Sequence, residues 1–254
     1  MDPLDDRLSR IETCWSIIRQ AHDPAEDSDA GREVRDAQQN LLDRYGGAVR
    51  RYALAALRSE EAADEVFQEF ALRFVRGDLG RADPEKGRFR SFVKTTVYHL
   101  IVDYQRRGKR DARVAPMRTE TPEPKAPTEE QHDELFSATW RDDLLARVWQ
   151  QLEKQEQQTG KPYHTALRCR VDYPKLRSPE LAERLTELLG KPMKAGAARV
   201  LLHRAREAFA ELLLEEVVHT LPGASRDQVQ EELIDLNLFE YCRPIFEKQA
   251  AEGN

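Results

Sequence analysis

Apolar residues recur at three- and four-residue steps along most of the chain. Phe89, Val93, Val97, Leu100, Ile101 and Tyr104 form one such stripe, which predicts a long amphipathic helix. Leu4, Leu8, Ile11, Trp15 and Ile18 predict another over residues 4–20. From about Arg32 to Arg58 the stripe is Val34, Leu41, Leu42, Tyr45, Val49, Tyr52 and Leu57, and Gly46-Gly47 within it is expected to loosen or bend the helix. Ser59 reads as the N-cap of a following helix that turns Val66, Phe67, Phe70, Ala71 and Phe74 inward. Farther on, Leu144, Leu145, Val148, Trp149 and Leu152 share a face, and Tyr163 to Val171 make a short helix stopped before Pro174. Ser178 reads as an N-cap with Pro179 at the first helical position, Leu181, Leu185 and Leu188 as the buried side, and Gly190 as the stop. A long helix follows from about Ala195 to Val218. Two more carry Val229, Leu233, Leu236 and Leu238, then Tyr241, Ile245 and Phe246.

The breaks between these stripes divide the chain. Residues 21–31 carry Pro, Gly and acids, and residues 76–87 are punctuated by Gly77, Gly80, Pro84 and Gly87. After Arg110 the periodicity stops, four prolines fall between 114 and 127, and Glu120 to Glu134 holds six acids against Lys125. Such a stretch reads as a flexible tether. The expected layout is an N-terminal helical extension (1–31), a first domain (32–110), a linker (111–138), a second domain (139–221) and a C-terminal extension (222–254). The fold class is all-α, two helical domains joined by a flexible acidic, Pro-rich linker, the second domain a helix-turn-helix.

Composition narrows the function. Charged residues make up 34% of 254 residues and the net charge is −6, so a general coat of positive charge for non-specific DNA binding is absent. No apolar run reaches the eighteen or so residues of a spanning helix, and MDPLDDRLSR has no signal-peptide form, so a cytoplasmic location is expected. Cys14, Cys169 and Cys242 are far apart, without metal-site spacing. The six histidines are scattered singly, and no phosphate-binding glycine loop or nucleophile motif is present. No catalytic residue, metal or cofactor is expected.

Positive charge is instead concentrated. From Lys86 to Arg113 nine Lys or Arg face Asp103 and Asp111, a local balance of nine minus two, or plus seven. Arg88, Arg90, Lys94, Arg106, Arg107, Lys109 and Arg110 are interleaved with Phe92, Tyr98 and His99, which is the pattern of a surface that holds phosphates and stacks bases. One helix earlier the sign reverses, with Asp64, Glu65, Gln68 and Glu69 on the outer side. Like charges one turn apart cost about 0.2–0.5 kcal/mol in an isolated helix, so an acidic face kept at that cost suits a basic partner.

FRSFVKTTVYHLIVDYQRR resembles the promoter-melting and minus-ten-reading segment of extracytoplasmic-function (ECF) sigma factors. Phe89-Arg90, Phe92, Asp103-Tyr104 and Arg106-Arg107 match in register, with His99 where many members carry Asn. EEAADEVFQEFALRFV is similar to the helix of the same family that docks on the β′ clamp of RNA polymerase, with Asp64, Glu65, Gln68 and Glu69 at the matching positions. The resemblance implies that the 76–87 loop helps capture a flipped base, with Phe92 as the stacking ring, and that the linker threads the polymerase cleft. The domains are then region-two-like (32–110) and region-four-like (139–221). This reading requires Asp64, Glu65 and Glu69 to be free of internal partners, and the Arg90/Lys94/Arg106 side to be open.

The second domain supports the same family more loosely. Helix, glycine turn, helix is the outline of a helix-turn-helix, and LLHRAREAFAELL is similar to the end of the minus-35-reading domain. Lys191, Lys194, Arg199, His203, Arg204 and Arg206 are the candidate DNA contacts there. The Gly190-Lys191-Pro192 turn is two residues longer than usual and Ala195-Gly196-Ala197-Ala198 replaces a polar start. Phosphate contacts by Lys194, Arg199 and Arg204 are therefore expected more than base readout. The implied partners are RNA polymerase core (β′ clamp helices and β flap) and promoter DNA. An anti-sigma factor or other regulator is left open, as is whether the C-terminal extension packs on the second domain or binds such a regulator. The competing function is a stand-alone helix-turn-helix regulator that binds DNA without polymerase.

Overall fold

The computed structural model describes residues 30–76, 88–114, 128–221 and 225–252. The expected helix at 4–20, the 77–87 loop and residues 115–127 of the linker lie outside these. Among the described residues the chain is all-α, with nine helices and no strand. They fall into two compact units, residues 30–143 with 219–221, and residues 144–218 with 225–252.

The first unit is built on α1 (Ala30–Leu57), α2 (Glu60–Val75) and α3 (Phe89–Val114). Tyr45, Ala48, Val49, Tyr52 and Ala53 of α1 are buried against Ala62, Ala63, Val66, Phe70 and Phe74 of α2 and the Phe89-to-Ile101 stripe of α3. Ser59 caps α2 as expected, its hydroxyl accepting from the Ala62 amide at 3.3 Å. Gly46-Gly47, expected to loosen α1, lies in an unbroken helix. A Cβ on Gly46 would meet the Phe67 ring at 2.9 Å, so the missing side chain lets α2 approach the α1 backbone closely.

The largest departure from expectation is α4 (Glu129–Thr159). Residues 129–138, expected to end the linker, are helical, and residues 129–143 belong to the first unit. Thr128 and Gln131 start this helix reciprocally, the Thr128 amide donating to Gln131 Oε1 at 2.9 Å and the Gln131 amide to Thr128 Oγ1 at 3.4 Å. That is a capping box. Phe136 and Trp140 then complete an aromatic cluster. Trp140 stacks on Tyr45 at 5.2 Å, and Phe136 meets Tyr52 edge-on at 5.1 Å. Arg51 of α1 pairs with Asp143 one turn beyond.

The second unit contains the rest of α4, α5 (Tyr163–Asp172), α6 (Ser178–Leu189), α7 (Ala195–Val218), α8 (Arg226–Asp235) and α9 (Phe239–Glu252). Leu144, Val148 and Leu152 bury one side of α4, and Trp149 meets Phe209 of α7 at 5.2 Å. Buried Glu216 is satisfied by Arg147 Nε at 3.0 Å and Gln151 Nε2 at 2.6 Å. The cap of α6 is Arg177 rather than Ser178, because the Glu180 carboxylate accepts from the Arg177 amide at 2.7 Å and draws Ser178 into the first turn. Gly190 ends α6 at φ 65°, the left-handed conformation that suits glycine. The C-terminal extension packs back on α7: Val229, Leu233, Leu236, Leu238, Ile245 and Phe246 are buried, and the Cys242 thiol points at the Ala210 carbonyl at 3.7 Å. Burial pushes that thiol up to about 12. Tyr241, expected on the apolar side of α9, is exposed, because Cys242 takes the inward position.

Candidate functional site

The helical period sorts α3 into three faces. Phe89, Val93, Val97, Leu100 and Ile101 are buried in the first unit. Ser91, Thr95, His99, Arg106 and Arg107 are exposed. Between these lie Arg90, Lys94 and Tyr98, and this third face is covered by the start of α4. Arg90 Nη1 donates to Ser137 Oγ at 3.2 Å, Lys94 Nζ pairs with Asp133 at 2.8 Å, and the Tyr98 ring lies 5.0 Å from that of His132. The expected open side is thus split: Arg106 is open, whereas Arg90, Lys94 and Tyr98 are contacted from α4. Phe92, the expected stacking ring, is half-buried beside Leu42, Tyr45, Phe70 and Phe74. Arg88 is half-buried too, and Lys109 and Arg110 continue the helix beyond Arg107.

The cover is held by an ion pair at the rim and by a neutral hydrogen bond within. Lys94 and Asp133 keep 30% and 53% of their side chains in water, and such pairs contribute about 0.2–1 kcal/mol. Deeper in, His132 Nδ1 and Tyr52 Oη share a buried hydrogen bond of 2.8 Å, of the sort that contributes about 0.5–1.5 kcal/mol net. Burial lowers the pKa of His132, opposed by Asp133, and raises that of Tyr52.

The acids of α2 are not free. Asp64 accepts from Arg50 Nε of α1 at 2.5 Å, and Glu60 accepts from Arg50 Nη2 at 2.5 Å. These hydrogen bonds, that to Asp64 first, raise the Arg50 pKa above its already high value. Glu69 binds Arg73 on its own helix at 2.9 Å, and Glu65 approaches Arg107 of α3 at 3.8 Å. The requirement that these acids lack internal partners is therefore not met. All these pairs sit at the surface, where an exposed ion pair contributes little and exchanges with solvent. The exposed stripe of α2 runs Glu61, Glu65, Gln68, Leu72 and Val75, acidic at one end and apolar at the other. Leu72 and Val75, 48% and 52% exposed, were absent from the sequence set. Their spacing from Glu65 and Gln68 at seven residues was the available signal.

In the second unit the α6–α7 pair has helix-turn-helix form. Lys191, Lys194, Arg199, His203, Arg204 and Arg206 are all exposed. The Met193 amide donates to Thr186 Oγ1 at 2.9 Å, which fixes the long turn. The six do not share one face. His203 and Arg206 border an open cavity of about 550 Å³ floored by Leu167, Trp149 and Phe209. Arg204 lies on the other side of α7 with Gly196, Ala197 and Val200.

Residues 41–111 match the family model of sigma-70 region 2. No curated protein and no solved structure matches the chain. The matched stretch is similar to that family over most of α1, all of α2 and most of α3. Sigma-70 factors are non-enzymatic initiators of transcription that bind RNA polymerase and DNA, and region 2 is the part associated with polymerase binding and promoter melting. Among the described residues no helix is long and apolar enough to cross a membrane, and no group of three or more His, Cys, Asp or Glu is placed to hold a metal ion.

Proposed function

We propose that the chain is a sigma factor of the ECF type, which joins RNA polymerase core in the cytosol and directs it to promoters. The observation that carries this reading is the region 2 match over 41–111, because it falls on α2, whose exposed side holds Glu61 and Glu65, and on α3, whose exposed side holds Arg106 and Arg107. The α2 stripe Glu61, Glu65, Gln68, Leu72, Val75 supplies an acid-and-apolar surface for the β′ clamp. Asp64 and Glu69 border it, held by cations that a basic partner can replace. On α3, exposed His99, Arg106 and Arg107 supply the open side for the minus-ten strand, and the helix continues through Lys109 and Arg110.

The second unit extends the reading to the minus-35 element. Arg199 on one side of α7 and Arg204 on the other, with Lys191 and Lys194 at the turn, suit contacts to phosphates flanking a groove more than readout of base edges, since Gly196, Ala197 and Val200 between them carry no polar group. The β flap remains the proposed core contact of this unit. Run-off transcription with purified core polymerase and a promoter library tests the whole reading. Promoter-dependent transcripts that vanish with Glu65→Arg support it. DNA binding that survives while core binding is absent in the wild type would replace it with a stand-alone helix-turn-helix regulator.

A further inference from the structure

The start of α4 presents three groups to the covered side of α3: a carboxylate, a hydroxyl and a flat ring. Asp133 lies on Lys94 at 2.8 Å, Ser137 accepts from Arg90 at 3.2 Å and His132 packs on Tyr98 at 5.0 Å. These are the chemical elements of a nucleotide, meeting a lysine, an arginine and an aromatic ring one helical turn apart. We propose that residues 129–137 of α4 are an internal stand-in for single-stranded DNA, occupying part of the α3 binding face until a DNA strand displaces them. The inference rests on the reading of α3 as a single-strand-binding helix, and adds to it a competitor from the same chain.

Several observations carry it. Two of the three contacts to α3, Asp133–Lys94 and Ser137–Arg90, are polar, and Asp133 is more than half exposed, so incoming phosphates reach Lys94 without passing through the core; His132 lies deeper, against Tyr98. The anchors Phe136 and Trp140 lie on Tyr52 and Tyr45 of α1, so the turns ahead of Phe136 can lift with Asp133 while the unit stays folded, at the cost of the His132–Tyr52 hydrogen bond. Ser137, held between the anchors, gives up Arg90 by side-chain rotation alone. Glu130, Asp133 and Glu134 are exposed on these front turns, which gives the segment the sign of the ligand it would stand in for. The capping box at Thr128 and Gln131 starts the helix at this place.

The test is anisotropy of a labelled single-stranded oligodeoxynucleotide of mixed sequence against the full-length protein over 50–300 mM salt. Asp133→Asn is expected to tighten binding about 3- to 10-fold and to steepen the slope of log K against log salt by about 0.7, since Lys94 then neutralises one more phosphate of the single strand. Lys94→Ala should erase that gain in the Asp133→Asn background and change little in the wild type. Ser137→Ala gives a second, milder release through Arg90. Circular dichroism melts confirm that each variant is folded.

Unchanged or weaker binding by both Asp133→Asn and Ser137→Ala overturns the inference. If that happens while Arg106→Ala and Arg107→Ala still lower affinity, only the stand-in falls and α3 keeps its role. If the oligonucleotide binds none of these proteins, both fall.

Discussion

Helices α2 and α3 belong to one unit and each carries a face of one sign, but the two faces are answered differently. On α2 the acids meet single long side chains: Arg50 from α1, Arg73 from the same helix, Arg107 from α3. On α3 the cations at 90 and 94 meet a second helix, α4, which is fixed by aromatic packing. A flexible counter-charge leaves a face usable, because exchanging it for a partner's charge costs little. A packed helix withdraws the face until it moves. Pairing alone is thus a poor sign that a charged surface is unavailable; what matters is how the counter-charge is held.

The comparison can be broken first at the aromatic anchor. Trp140→Ala should lose about 3–5 kcal/mol from the first unit, read as a lower denaturant midpoint of its transition, since Trp140 is 1% exposed between Tyr45 and Phe89. A loss below about 1 kcal/mol would mean that the start of α4 only rests on this unit. The next largest effect concerns α2. Glu65→Arg with Leu72→Asp should weaken binding to polymerase core at least tenfold, about 1.4 kcal/mol, in a pull-down titration with unchanged melting temperature.

Acid should loosen the α4 cover. Burial lowers the pKa of His132, so the folded unit prefers neutral imidazole. Stability from this site is full above the ordinary histidine value near 6.5 and declines as pH falls below it, toward the depressed folded value. Tyr52 and Tyr98 face the ring, and Asp133 works against the shift. Melting at pH 7.5 and 5.5 should show the lower temperature at 5.5, and the gap should narrow in His132→Asn. The smallest expected effect is Glu69→Ala: an exposed i,i+4 pair with Arg73 is lost, and stability should change by less than about 0.5 kcal/mol.

How much of this was legible follows from the range of each interaction. Helices whose stripes recur every three or four residues were readable along most of the chain, and so were local signals such as the Ser59 cap and the Gly190 stop. The front of α4 was not read. Thr128-x-x-Gln131 is a local signal and could have been found, but it sits among acids and prolines that also describe a tether. Its decisive partners, Tyr45 and Tyr52, are supplied by a helix some eighty residues earlier. The acids of α2 were read on its outer side, but counter-ions for them come from Arg50 and Arg107 in neighbouring helices, which periodicity cannot pair. Gly46 was misread for the same reason: the ring that requires its bareness, Phe67, belongs to another helix.

That bare position has a consequence for how the domain tolerates change. Because Phe67 fills the space where a methyl would project from Gly46, even alanine there must either rotate the ring or wedge the two helices apart. The second outcome would shift the Glu65–Leu72 surface relative to Arg106 and Arg107. One added carbon far from either surface could therefore detune a docking geometry that depends on both.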